Sequence, residues 1–129
     1  MTAGSASSSD SRSAYLAAVI LQYLELPDTP LCANFADQRQ ARILFDRGVP
    51  LPLVESALLL ASLRRLVRPV DLPPLQPIRS LAYFLPVIDE LLAQPLPDGY
   101  TDYLRLKLTR LTQAVASAKV QKTSFLDDR

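Results

Sequence analysis

Residues 48–92, GVPLPLVESALLLASLRRLVRPVDLPPLQPIRSLAYFLPVIDELL, decide the fold because they hold the densest apolar segment of the chain and most of its prolines. Apolar residues cover much of the circumference of a helix predicted over 52–67, which is typical of a helix packed on several sides. Pro52 suits the first helical turn and Pro69 ends the helix. The predicted inward side chains are Leu53, Val54, Ala57, Leu58, Leu60, Ala61 and Leu63.

Four further helices are predicted around this central one, at 13–26, 36–47, 78–93 and 99–119. Pro86 lies inside the third of these and predicts a kink, or two short helices that meet there. The sequence therefore predicts an all-α fold, a single compact bundle of about five helices. Its other inward residues are predicted as Tyr15, Leu16, Val19, Ile20, Tyr23, Leu24, Ala41, Leu44, Phe45, Leu81, Phe84, Leu85, Ile88, Leu91, Leu92, Tyr103, Leu104, Leu108, Leu111, Val115 and Ala118.

Helix ends carry local signals. Asn34 is the expected N-cap of the second helix, Gly48 its left-handed C-terminal glycine, and Asp98 the expected cap of the last helix. The charges on the outer face of the second helix alternate in sign, and this pattern favours a solvated face over a binding surface. The charged residues assigned to that face are Asp37, Arg39, Arg42 and Asp46.

The chain is expected to form one domain. Residues 1–11 are small and polar and predict a disordered tail, residues 12–120 the helical domain, and residues 121–129 a flexible C-terminal tail. Four prolines within 68–77 predict a stiff, extended connector.

Composition limits the partners and the location. A net charge of +1 gives no overall attraction to nucleic acid, so any binding must come from local segregation of charge. The single cysteine, Cys32, excludes an intrachain disulfide and favours a reducing, cytoplasmic location, where we expect it half-buried. No apolar stretch approaches the length that spans a bilayer, so no membrane contact is expected.

The sequence lacks the residues that most catalysis requires. There is no histidine, the only cysteine cannot build a zinc site, and the three glycines form no phosphate-binding loop. We therefore expect no enzyme activity, no cofactor and no metal. Asp89 and Glu90 are adjacent and point about 100° apart on a helix, so they are not a catalytic pair.

The spacing of Gln40, Gly48, Val49 and Val54 is similar to that of a helix-turn-helix motif. A recognition helix must offer polar side chains to base edges. Its leading positions here are Pro50, Leu51, Pro52, Glu55 and Ser56. We therefore favour an ordinary αα-hairpin over a base-reading motif.

Basic residues concentrate in two places. One group surrounds the connector. The other lies along the last helix, within residues 100–122, where Tyr100 and Tyr103 stand near the start and Asp102 is the single acid. Both groups are candidate phosphate contacts, and the tyrosines are candidates for stacking on bases of a single strand. The alternative is that these are solvated faces. The candidate nucleic-acid-binding residues are Arg64, Arg65, Arg68, Arg79, Arg105, Lys107, Arg110, Lys119 and Lys122.

Two segments, ARILFDRGVPLPLVESAL and IRSLAYFLPVIDELL, resemble a helical module of bacterial primosome proteins of the DnaD type and of mobile-element replication proteins. The resemblance covers about residues 41–92. It implies a DNA-associated, partner-binding role, with the basic last helix as the contact surface.

The leading hypothesis is a non-enzymatic helical accessory protein that binds DNA, nonspecifically or as single strands, in a replication or mobile-element context. The rival is a protein-interaction or self-association module that acts through the region of Leu51, Tyr83 or Phe125. A third class, an enzyme, would need a pocket with perturbed carboxylates.

Overall fold

The computed structural model describes residues 3–69, 71–73 and 75–127, with side chains for 10–69, 71–73 and 75–114. Within these ranges the chain forms five α-helices and one 3-10 helix, and no strand. The α-helices are α1 (Ala3–Glu25), α2 (Phe35–Asp46), α3 (Leu51–Leu66), α4 (Leu85–Ala93) and α5 (Tyr100–Asp127), with the 3-10 helix Leu81–Phe84 directly before α4. The predicted all-α fold is confirmed.

Helix α3 occupies the centre of the bundle. It packs against α1, α4, α5 and the 3-10 helix, while α2 packs on α1 and the 3-10 helix. This enclosure follows from an apolar surface that extends almost all round the helix. Leu59, which the sequence analysis did not assign inward, is also buried. The polar residues Ser56 and Ser62 are buried as well.

The contacts fix the directions of the helices. On α1, Tyr15 donates to the Val49 carbonyl at 2.7 Å and Gln22 donates to Glu55 at 2.9 Å, so α1 and α3 run in the same direction. At the start of α5 the Thr101 hydroxyl is hydrogen-bonded to Ser56 of α3. Helix α5 also runs along α3 in the same direction, because its Leu108 lines the same groove as Leu59.

An enclosed α3 excludes the base-reading interpretation of the turn between α2 and α3. A recognition helix must lay an exposed face in the major groove. Eight residues of α3 are instead buried, and Ser56 is one of them. Pro50, directly before α3, and Pro52, in its first turn, are exposed but offer no side-chain donor.

Several predicted helix ends are confirmed. Asn34 caps α2, accepting from the Asp37 N–H at 2.9 Å, and Gly48 follows the helix with φ +74°. Pro52 lies in the first turn of α3. The proposed cap Asp98 is one position too early, because Gly99, with φ +81°, is the residue directly before α5.

Pro86 separates the predicted fourth helix into two short helices. It lies in the first turn of α4, where its missing N–H costs no helical hydrogen bond, and the 3-10 helix ends just before it. Leu92 was predicted inward but is 40% exposed. Tyr103 was likewise predicted inward and is 50% exposed, because the buried stripe of α5 runs through Leu104 and Leu108 instead.

Two helices are longer than predicted. Helix α1 begins at Ala3 instead of residue 13, and α5 continues to Asp127 instead of residue 119. Extending a helix costs far less than nucleating one, and the added segments contain no proline. The side chains of Val115, Ala118, Phe125 and Leu126 lie outside the described residues.

Asp37 was predicted on the solvated face of α2, and this was wrong. Its side chain is 1% exposed. One carboxylate oxygen accepts from the Asn34 N–H at 3.1 Å, and the other accepts from the Leu81 N–H at 2.9 Å. The carboxylate thus closes the capping box of α2 and also satisfies the first N–H of the 3-10 helix.

We expect Asp37→Ala to lower the free energy of unfolding by about 2–3 kcal/mol, because it leaves two backbone N–H groups without their acceptor. Urea denaturation followed by circular dichroism measures this loss. Asp46→Ala on the same helix is the control, since Asp46 is 61% exposed and 3.8 Å from Arg12. Equal losses in the two variants would contradict the bridging role of Asp37.

Tyr23 makes stability sensitive to alkaline pH. Its ring is fully buried edge-on to Phe84, and its hydroxyl has no hydrogen-bond partner among the described residues. Burial, reinforced by the nearby negative charge of Asp37, raises the pKa of Tyr23 to about 12 from 10.0. The folded state therefore favours the neutral phenol. This contribution to stability is complete below pH 10 and is lost as the pH rises through 12.

We expect Tyr23→Phe to be neutral or stabilising at about pH 8, because it removes an unpaired buried hydroxyl, and to lose less stability than the wild type at about pH 11. Urea midpoints at both pH values test this. Tyr100→Phe is the control, since the Tyr100 ring is 38% exposed. A wild-type midpoint that falls no further than that of Tyr23→Phe would disprove the assignment.

Candidate nucleic-acid interface

The arginines at the end of α3 are engaged within the domain. Arg64 donates twice to Glu90, at 2.7 and 2.8 Å, and so joins α3 to α4. This bidentate pair lowers the pKa of the Glu90 carboxyl and raises the pKa of Arg64. Both side chains are about half exposed. Arg64 therefore joins α3 to α4, and a ligand would have to compete with Glu90 for its guanidinium group.

Arg65 is even less available, since its side chain is 9% exposed. It donates to the Gln76 carbonyl at 2.9 Å and to the Tyr83 hydroxyl at 3.1 Å, and its guanidinium lies 5.4 Å from the centre of the Tyr83 ring. It also reaches Asp28 at 3.4 Å. These contacts hold the connector and the turn after α1 against α3.

The other two members of this group differ. Arg68 donates to the carbonyl of Pro73 and fastens the connector to the end of α3. Arg79 is exposed and forms no ion pair with any described residue. Of the four cations predicted around the connector, the described contacts therefore leave Arg79 without an intramolecular role.

Arg105, a predicted phosphate contact, is 51% exposed and forms ion pairs within the domain. It pairs with Glu55 of α3 and with Asp102 of its own helix, the latter at 3.0 Å. Glu55 also accepts from Gln22 of α1. The three side chains thus tie α1, α3 and α5 together along one edge of the bundle.

The opposite flank of α5 has a different character. Four exposed side chains lie there at spacings of three and four residues, which place them on one side of the helix. We call this surface the tyrosine flank; it consists of Tyr100, Tyr103, Lys107 and Arg110. The two rings lie 5.3 Å apart, and the Lys107 ammonium is 5.8 Å from the centre of the Tyr103 ring. Neither cation forms an ion pair with a described residue.

The predicted basic residues therefore do not form one surface. The connector group lies at the end of α3, whereas the tyrosine flank lies on the first half of α5. The remaining two candidates, Lys119 and Lys122, have side chains outside the described residues.

The outer face of α2 is more basic and more apolar than the sequence predicted. Because Asp37 turns inward, one of the two acids assigned to this face no longer offsets the charge of Arg39 and Arg42. Phe35 and Ile43 on the same face are 89% and 41% exposed. The helical positions of these residues were available in the sequence, but the assumed outward direction of Asp37 concealed the net positive charge.

A groove lies between α1 and α5, with α3 beneath it, and has a volume of about 470 Å³. Leu26, Leu58, Leu59 and Leu108 form its apolar floor. Gln22 stands at its edge, and its side-chain oxygen is buried without a partner among the described residues.

The three residues named for the rival hypothesis lie in different surroundings. Leu51 packs against the core, and Tyr83 is 43% exposed but is held by Arg65. The side chain of Phe125 lies outside the described residues.

Cys32, expected half-buried, is exposed because it lies in the turn between α1 and α2.

Within the described ranges, no three side chains of the His, Cys, Asp and Glu types gather where they would hold a metal ion. Nor is any helix in the described part of the chain both long enough and apolar enough to cross a membrane.

Comparisons with known proteins do not assign the chain to a family. No protein-family model matches it, and neither curated proteins nor solved structures give a significant match.

Proposed function

We propose that the chain is a non-enzymatic accessory protein that binds single-stranded DNA through the tyrosine flank of α5. The observation that supports this most directly is the pairing of two exposed, adjacent tyrosine rings with two exposed cations that have no described acidic partner.

The rings supply the sequence-independent part of the contact. Every base has a π-face, and base stacking on an aromatic side chain is worth about 1–3 kcal/mol. Tyr103 is half exposed, and Tyr100 stands one turn before it. The rings are inclined at 47° to each other, so they offer two separate stacking faces and not one flat platform.

The cations supply the phosphate contacts. Lys107 and Arg110 follow the tyrosines along the same flank, so a strand stacked on the rings has its backbone beside them. The Lys107 ammonium already lies near the Tyr103 ring, which keeps the positive charge next to the stacking face. Arg105 is excluded from the proposed surface because it is bonded to Glu55 and Asp102.

The replication or mobile-element context of the proposal comes from the resemblance to DnaD-type modules alone. A DNA-binding role in that context corresponds to a cytoplasmic location, in which the exposed thiol of Cys32 stays reduced. The proposal assigns no reaction to the chain, whose sequence contains no histidine.

We expect Lys107→Ala/Arg110→Ala to weaken binding of a fluorescein-labelled single-stranded oligonucleotide by about tenfold or more at low salt. The slope of log K against log salt should fall by about 1.4, since each lost contact to a single strand contributes about 0.7. Tyr103→Ala should weaken binding with little change in this slope, because stacking releases no counterion. Fluorescence anisotropy over a salt series measures both quantities.

The matched control is Arg39→Ala/Arg42→Ala, which removes two exposed cations from α2 and leaves α5 intact. It should change the affinity by less than about twofold, a change that reflects only the overall charge. Absence of binding by the wild type at low salt would refute the proposed function. Equal weakening by the two double variants would refute the tyrosine flank as its surface.

A further inference from the structure

The outer face of α2 combines apolar and basic side chains on one side of a helix. Spacings of three and four residues place four side chains on this one face of the helix. They are Phe35, Arg39, Arg42 and Ile43. Phe35 is 89% exposed, although aromatic side chains are usually buried. Aromatic residues and arginine are the types enriched at protein interfaces.

The positive charge of this face is not neutralised within the described part of the chain. Arg39 and Arg42 form no ion pair there. The one acid of α2 that faces outward, Asp46, is 3.8 Å from Arg12. Arg39 lines a shallow depression with Ile43 and Ser80, which places exposed Arg79, the neighbour of Ser80, on the same side of the domain. The face therefore suits an acidic segment that also carries apolar side chains.

The chain itself contains such a segment. Residues 124–128, SFLDD, place two large apolar residues directly before two acids. One other run in the sequence, VIDE at residues 87–90, also places two large apolar residues directly before two acids. Its Asp89 and Glu90 are already paired with Arg47 and Arg64.

The course of α5 carries this segment away from its own bundle. Because Thr101 is bonded to Ser56 and the two helices run in the same direction, α5 comes level with Leu66, the last residue of α3, near Leu111. The rest of α5, as far as Asp127, extends about 24 Å further at 1.5 Å per residue. α3 is also the one described element against which α5 packs extensively.

We infer that the chain self-associates, with the segment 124–128 of one copy bound to the outer face of α2 of a second copy. Asp127 and Asp128 pair with Arg39 and Arg42, while the apolar side chains of the segment cover Phe35 and Ile43. Each copy offers the segment and receives that of its partner, so two reciprocal contacts related by a two-fold axis form an isologous interface and close a dimer. This inference is independent of DNA binding, since it uses neither cation of the tyrosine flank.

A charge-exchange experiment tests this inference on the full chain. Sedimentation velocity at concentrations up to the order of 100 µM measures association, a range that detects weak contacts. The wild type should dimerise, and both Arg39→Glu/Arg42→Glu and Asp127→Lys/Asp128→Lys should be monomeric. A chain that carries all four substitutions should dimerise again, because the charges are exchanged and not removed. Lys107→Glu/Arg110→Glu is the matched control and should dimerise as the wild type does.

A second measurement uses a fluorescein-labelled peptide of residues 120–129. It should bind the wild type with an affinity that falls as salt rises, and should bind Arg39→Glu/Arg42→Glu at least about tenfold more weakly. A monomeric wild type would overturn the inference, as would dimers that persist in both double variants. Failure of the fourfold variant to regain the dimer, while its circular dichroism matches the wild type, would also overturn it.

Discussion

The constraint on which this structure depends is that α3 has no face suited to water. Ala57, Leu58 and Leu59 follow one another at about 100° per residue around the helix, so they lie on different sides of it, and all three are buried, together with Ser56 and Ser62. At about 1.5–3 kcal/mol for each buried large aliphatic side chain, exposing even one side of α3 would consume much of the stability of a small domain. The other helices are therefore arranged around it.

The elements that surround α3 must also be joined to α3 and to one another. Polar side chains perform this task at the edges of the bundle. Asp37 joins α2 to the 3-10 helix, Arg64 joins α3 to α4, and Glu55 joins α3 to both α1 and α5. Because these groups are bound in the domain, much of the charge that appears available in the sequence is not available at the surface.

Two of the exposed surfaces combine aromatic rings with cations, and they lie on separate helices. The first half of α5 offers tyrosine rings beside cations, and the outer face of α2 offers phenylalanine and isoleucine beside cations. The two surfaces suit different ligands. The adjacent rings on α5 suit stacking on flat bases. The apolar side chains on α2 suit another protein segment. The two proposed contacts use different helices, so the DNA contact and the self-association that we propose would not compete for the same surface.

The sequence by itself determined the helices, because apolar periodicity, Asn34, Gly48 and the prolines act through local backbone geometry. It also indicated that the helix predicted over 52–67 is central, since a helix that is apolar on most sides must be covered. It could not determine the direction of a polar side chain relative to distant elements. Asp37 turns inward because the N–H of Leu81, far along the chain, needs an acceptor. Arg105 turns toward α3 because Glu55 is there, and Tyr103 turns outward because Leu104 and Leu108 are the residues that reach α3. Only the tertiary structure decided which charges were left for binding, because that choice depends on partners that are distant in the sequence and adjacent only after folding.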